Sequence, residues 1–81
     1  MPGTRNIKLE RRQIAKCLRE GRINAGFPTA AHASLKFGWG IKTYLQHEEA
    51  VKSIDFDAAQ IYSKAFNINI DLLYTSKNRN D

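Results

Sequence analysis

The sequence predicts an all-α fold, a compact bundle of about five helices, from three observations. Apolar residues recur at steps of three and four in several segments, which is the spacing of one helix face. Glycine, proline and capping residues separate those segments at helix-like lengths. Strand-like alternation is weak along the whole chain. The helices are therefore expected to pack against one another around one core.

Length and composition limit the protein to one small domain. The 81 residues are 42% hydrophobic, which suffices for a helical core, and no apolar run approaches the roughly 18 residues of a membrane span. No signal peptide is visible, and the single Cys17 excludes an internal disulfide framework, so we expect a cytoplasmic protein. The net charge of +5 favours a polyanionic partner only weakly, because many soluble proteins are basic.

The chain divides into a basic N-terminal arm (1–10), a helical domain (11–75) and a polar C-terminal tail (76–81). Arg5 and Lys8 of the arm, with Arg11 and Arg12 directly after it, can contact phosphates or a minor groove. The alternative interpretation is a solvated, frayed terminus.

The first helix is predicted from about Lys8 to Ala25. Gly26 would close it in the left-handed conformation that commonly ends a helix. Gly21 lies inside this helix at a cost of about 1 kcal/mol relative to alanine. A close contact with another part of the fold is one possible reason for a glycine there.

Two short helices follow, separated by Gly38-Trp39-Gly40. The first begins near Thr29, which can cap it after Pro28, and ends at Phe37. The second runs from Ile41 to about Ala50. Two helices of this length joined by a glycine-containing turn have the composition of a helix-turn-helix.

The outer face of the second short helix carries side chains that can reach base edges in a major groove. These candidates for reading bases are Ile41, Lys42, Thr43 and Gln46. Candidates for phosphate contacts are Thr29, Lys36, Lys52 and Ser53. The alternative for both sets is an ordinary solvated surface.

The fourth helix is the clearest amphipathic segment, with Asp55 as its cap and Asn67 as a left-handed terminator. Its predicted apolar face consists of Ala58, Ile61, Tyr62, Ala65 and Phe66. A short fifth helix would begin near Asn69 or Asp71. The aromatic residues expected in the core rather than on a base-stacking surface are Phe37, Trp39, Tyr44, Phe56, Tyr62 and Phe66.

Residues from about Arg19 to Leu73, about two thirds of the chain, resemble the Cro/repressor-type (XRE-like) helix-turn-helix regulators of bacteria and phages. The resemblance is carried by Gly38, by the run Thr43-Tyr44-Leu45-Gln46-His47-Glu48, and by the helix that ends in Ala65-Phe66. It implies a lambda-repressor-like domain in a bacterial cytoplasm. It also implies a structural ion pair between Arg22 and Glu48. The alternative is that Arg22 in addition presents its remaining donors to a phosphate. The chain departs from the family after this run, where Glu49-Ala50-Val51 replaces the usual Asn-Gly type of turn.

The resemblance and the outer face together predict a sequence-specific regulator of transcription that binds double-stranded DNA, most simply a small repressor. Similar proteins often bind inverted repeats as homodimers, and the residues proposed for dimerisation are Ile68, Ile70 and Tyr74, unless they only close the core. The alternative is a protein–protein adaptor or antitoxin-like module on the same scaffold.

No enzyme, metal site, cofactor or small-molecule ligand is expected. His32, His47 and Cys17 match no zinc spacing, and neither a nucleophile with a base nor a glycine-rich phosphate loop can be assembled.

Overall fold

The structure of the protein, a computed structural model, describes residues 7–74, and the predictions for residues 1–6 and 75–81 lie outside this part. The described residues form four α-helices and one turn of 3-10 helix, with no strand. The helices are α1 (Ile7–Asn24), α2 (Ala30–Phe37), α3 (Ile41–Glu48) and α4 (Phe56–Phe66). None of them is long and apolar enough to cross a membrane.

The prediction of a fifth α-helix is wrong. Residues Ile70–Leu72 form a single 3-10 turn, in which Asn69 caps the N-terminus by accepting a hydrogen bond from the Asp71 N–H at 2.9 Å. The buried side chain of Leu73 follows at once. Only a few residues lie between the left-handed end of α4 and this buried side chain, so the chain has room for one turn.

The core lies where all four helices meet. Its buried members are Leu18, Ala33, Tyr44, Ile54, Ala59, Tyr62, Phe66 and Leu73. Trp39, in the turn between α2 and α3, is half-buried and stacks on Phe37 with ring centroids 4.8 Å apart. The edges of Tyr62 and Phe66 meet the same indole ring. The turn is therefore filled by aromatic packing, as the sequence predicted.

Three expected core positions are exposed instead. Phe37, at the end of α2, is 36% exposed. Ile61 has 50% of its surface accessible, and the buried position on α4 belongs to Ala59. Phe56, at the first position of α4, is 47% exposed and meets only the ring edge of Tyr74, at 5.3 Å between centroids. The inward face of α4 is thus rotated from the predicted one, because Ala59, Tyr62 and Phe66 face the other helices.

All four helices end in the same way. The residue that closes each helix has a left-handed backbone; these residues are Gly26, Gly38, Ala50 and Asn67, with φ of 101°, 75°, 61° and 57°. The next residue then donates its N–H to the carbonyl five positions back, at 2.9 to 3.1 Å, as in a Schellman motif. The predicted closures at Gly26, Gly38 and Asn67 are confirmed. Helix α3 is shorter than predicted, because Ala50 cannot be helical in this conformation.

The glycine inside α1 has a packing reason. A Cβ placed on Gly21 would lie 2.3 Å from Cδ1 and 2.5 Å from Cγ1 of Ile68, so the two residues are in close approach. Ile68, Ile70 and Tyr74 are partly buried and pack against the core. These three residues therefore help to close the core, and their proposed role in dimerisation stays a prediction.

Candidate nucleic-acid interface

Helices α2 and α3 pack against each other and are joined by the three residues 38–40. The side-chain oxygen of Thr29 accepts a hydrogen bond from the His32 N–H at 3.1 Å, which caps α2. Gly40 precedes α3 without a side-chain cap. Ala33 and Ser34 are buried on α2 and Tyr44 is buried on α3, so small side chains allow the two helices to lie close together.

The inner face of α3 (Tyr44, His47 and Glu48) is buried and hydrogen-bonded. The Arg22 guanidinium donates to Glu48 through Nε at 2.6 Å and through Nη2 at 3.3 Å. The Tyr44 hydroxyl donates to the same carboxylate. The Arg22–Glu48 ion pair therefore joins α1 to α3 through two parallel hydrogen bonds. This bidentate geometry is the strong one for a guanidinium and a carboxylate.

Arg22 makes a third contact, from Nη1 to the Phe27 carbonyl at 2.7 Å. Three of its five N–H groups are thus used inside the protein, and the residue is only 5% exposed. Burial by itself would lower the pKa of Arg22, but the bonds and the charge of Glu48 outweigh it, so the pKa is raised. Arg22 is placed to hold the fold together and has little surface left for a phosphate.

Burial and the neighbouring Glu48 raise the pKa of Tyr44, so its hydroxyl stays protonated and donates. On the same face, Nδ1 of His47 lies 2.7 Å from the Tyr62 hydroxyl of α4. Burial lowers the pKa of His47, and burial raises that of Tyr62 to about 12. Both rings are therefore neutral near neutral pH, and they join α3 to α4 as Arg22 joins α3 to α1.

The outer face of α3 (Ile41, Lys42, Thr43 and Gln46) has the opposite character. Ile41, Lys42 and Thr43 are exposed, and Gln46 is half-buried. None of the polar side chains among them forms a hydrogen bond or ion pair within residues 7–74. The groups predicted to read bases are consequently available to an external partner.

The phosphate candidates fall into two groups. Lys52 and Ser53 line one cleft of about 420 Å³ between α3, the segment after it, and α4. The cleft is also lined by the base-reading candidate Thr43 and by Trp39, Asp55 and Ile61. Thr29 and Lys36 are exposed on α2 and lie outside this cleft. The Thr29 side-chain oxygen accepts the capping bond, and its O–H group can still donate to an anion.

Sequence reasoning missed part of the charged surface. Lys16 and Arg19 of α1 are exposed and, together with Arg12, line a second cleft at the C-terminal end of α3. Their spacing of four and three residues is a signal that the sequence already contained. Within residues 7–74, no three His, Cys, Asp or Glu side chains are grouped as metal ligands would be.

Comparison with known proteins identifies no relative, since no family model, curated protein or solved structure matches the chain significantly.

Proposed function

We propose that α2 and α3 form a helix-turn-helix and that the protein binds specific double-stranded DNA sites as a transcription regulator, most simply a small repressor. The observation that carries this proposal is the division of α3 into two faces. Its inner face is buried and joined to α1 and α4, while its outer face presents free lysine, threonine and glutamine side chains. Such side chains can recognise guanine, adenine and the thymine methyl group in a major groove.

The dimensions and charge agree with this role. Helix α3 has eight residues, so it is about 12 Å long, and its diameter with side chains, about 10–12 Å, fits a major groove that is about 12 Å wide. The net charge of +5 attracts the phosphate backbone. Lys52 and Ser53, in the segment after α3, would then contact phosphates and fix the position of the helix.

We propose further that two copies bind an inverted repeat, because one helix of this length contacts only a few base pairs. Two recognition helices in a symmetric dimer enter successive major grooves when they lie about 34 Å apart. Half-site centres would then be separated by one helical turn of DNA.

Selection of bound duplexes from a random DNA pool at physiological salt, followed by sequencing, tests the proposal directly. An enriched inverted repeat would support both sequence-specific binding and the dimer, and its spacing would give the distance between recognition helices. An enriched single half-site would support recognition but contradict the dimer. If no sequence is enriched and only salt-sensitive binding to any duplex remains, the proposal of a specific regulator is wrong.

The exposed apolar side chains favour a second candidate, a protein–protein adaptor on the same scaffold. Leu35 of α2 is 83% exposed and Ile41, at the start of α3, is 42% exposed. Salt separates the two candidates. Binding through several phosphates weakens steeply as salt rises, whereas an interface made of apolar contacts does not.

A further inference from the structure

A row of three cations runs along the exposed side of α1. Arg12, Lys16 and Arg19 follow one another at steps of four and three, so they share one face of the helix, and all three are exposed. We call these residues the α1 row. They line a cleft of about 480 Å³ together with the end of α3, at Glu48, Glu49 and Ala50.

The charges of this cleft are not balanced by the protein. The α1 row forms no ion pair within residues 7–74. Of the two carboxylates that line the cleft, Glu48 is bonded to Arg22, which leaves Glu49 as the acid facing the row. Three cations against one carboxylate give a local charge of +2. Arg11 adds another cation beside them, with Nη1 3.4 Å from the Ala50 carbonyl.

The position of the cleft relative to α3 points to its ligand. Thr43 and His47 lie four residues apart on one side of α3 and line the cleft near Lys52. Glu48 and Glu49 line the cleft of the α1 row on the other side. Lys42 and Gln46, which also lie four residues apart, are on the outer face between these two sides. The α1 row therefore lies on one side of the proposed recognition surface, and Lys52, with Asp55 in the same cleft, lies on the other.

We propose that the α1 row binds the phosphate backbone along one edge of the major groove, while Lys52 and Ser53 bind the backbone along the other edge. A helix with its side chains is about 10 Å across and nearly fills a groove about 12 Å wide, so both phosphate walls come close to the structure around it. The inference rests on the proposed function and adds a second phosphate-binding surface, of which only Arg12 was predicted from the sequence as a possible phosphate contact.

The test is the salt dependence of binding to a duplex that contains the selected site. Each phosphate contact contributes about 0.9 to the slope of log K against log salt concentration. The triple variant Arg12→Gln/Lys16→Gln/Arg19→Gln should reduce that slope by about 2–3 and weaken binding to all duplexes by a similar factor. A matched pair of single variants compares Lys16→Gln with Lys64→Gln, because Lys64 is exposed on α4 and belongs to neither cleft. Only Lys16→Gln should lower the slope.

The outcomes separate the inference from the function on which it rests. If the wild-type protein binds its site and the triple variant keeps the same slope, the α1 row has no phosphate role, although the proposed function stands. A changed preference among site variants would show base reading, and would also overturn the inference. If the wild-type protein shows no binding to DNA, the proposed function itself is wrong. In that case a complex between the α1 row and an acidic protein would be detected by its loss in the triple variant. Should the triple variant unfold, the three single variants give the same measurement in steps of about 0.9.

Discussion

The two faces of α3 differ in nearly every physical property. On the inner face, Tyr44 and Glu48 are buried and bonded to Arg22, and His47 is bonded to Tyr62. The outer face has exposed side chains without partners among the described residues. One helix of eight residues therefore carries both a structural face and a free face.

This difference shows how a small protein can present a fixed surface to a partner. Free side chains recognise a partner well only when the backbone that carries them is held in place. Here the backbone of α3 is held from two directions, by an ion pair toward α1 and by a histidine–tyrosine contact toward α4. The comparison predicts that changes on the inner face lower stability, whereas changes on the outer face alter recognition.

The largest effect is expected for Glu48→Ala. It leaves the buried Arg22 charge without its partner, so the free energy of unfolding should fall by about 3–5 kcal/mol. In a domain of this size each kcal/mol moves the midpoint of thermal unfolding by about 4–8 °C. Glu49→Ala, one residue away and exposed, is the matched control and should stay within about 0.5 kcal/mol. If the two variants changed the unfolding midpoint equally, the prediction that the buried Glu48 stabilises the fold more than the exposed Glu49 would be wrong.

On the outer face, Lys42→Ala and Gln46→Ala should leave stability nearly unchanged. Each should reduce discrimination between related DNA sites by about 1–3 kcal/mol, because a base contact is lost. Lys52→Ala should instead weaken binding to all duplexes about equally. Relative affinities across a set of site variants, measured by competition, distinguish these outcomes. Unchanged relative affinities in the first two variants would show that these side chains do not read bases.

The packing between α1 and the segment after α4 is tested at Gly21. Alanine has a higher helix propensity by about 1 kcal/mol, but its Cβ would collide with Ile68, so Gly21→Ala should not increase stability. In an Ile68→Ala background the collision is absent, and the same change should stabilise the protein by about 1 kcal/mol. Denaturant unfolding of the four proteins of this cycle measures the coupling. Additive effects would mean that the close approach costs nothing.

The smallest effect is expected from pH. The pKa of His47 is lowered in the folded protein, so the unfolded chain binds a proton more readily near pH 6.5. The contribution of His47 to stability should therefore be constant above that pH and fall as pH decreases through the unfolded pKa toward the lower folded one. The charged groups near His47 are Asp55, which favours protonation, and Lys52, which opposes it. His47→Asn can keep a polar atom facing Tyr62, and it should remove the pH dependence of stability that His47 causes. An unchanged pH profile of the unfolding midpoint would assign that pH dependence to other groups.

The helix ends of this fold could largely be predicted from sequence, because capping depends on residues close in the chain. Thr29 and Asp55 each accept a backbone N–H three residues ahead, at 3.1 and 2.8 Å, as their residue types predict. The closure at Ala50 could not be predicted, since alanine gives no local signal for a left-handed backbone. The tertiary contact at this closure is the hydrogen bond from Arg11 to the Ala50 carbonyl, at 3.4 Å.

Rotation of helix faces was harder to predict than helix limits. Ala59 and Ile61 lie two positions apart in the sequence, and hydrophobicity alone favours the larger side chain as the buried one. The structure buries Ala59, because the space between α4 and its neighbours is already filled by Tyr44, Tyr62 and Phe66. For the candidate site, helical spacing predicted the outer face of α3. The proximity of the α1 row to the end of α3 depends on the tertiary structure, so the sequence alone did not indicate it.

Among the four helix ends described, the one at Ala50 determines where a single substitution can raise the stability of the protein. The others are closed by glycine or asparagine, which tolerate a left-handed backbone, while Ala50 pays a steric cost for its Cβ. Glycine at this position would recover roughly 0.5–1 kcal/mol after its own greater chain entropy is included. This position belongs to neither face of α3. Substitutions on the outer face that change specificity can lower stability. A change to glycine at residue 50 can compensate for that loss without altering either face of α3.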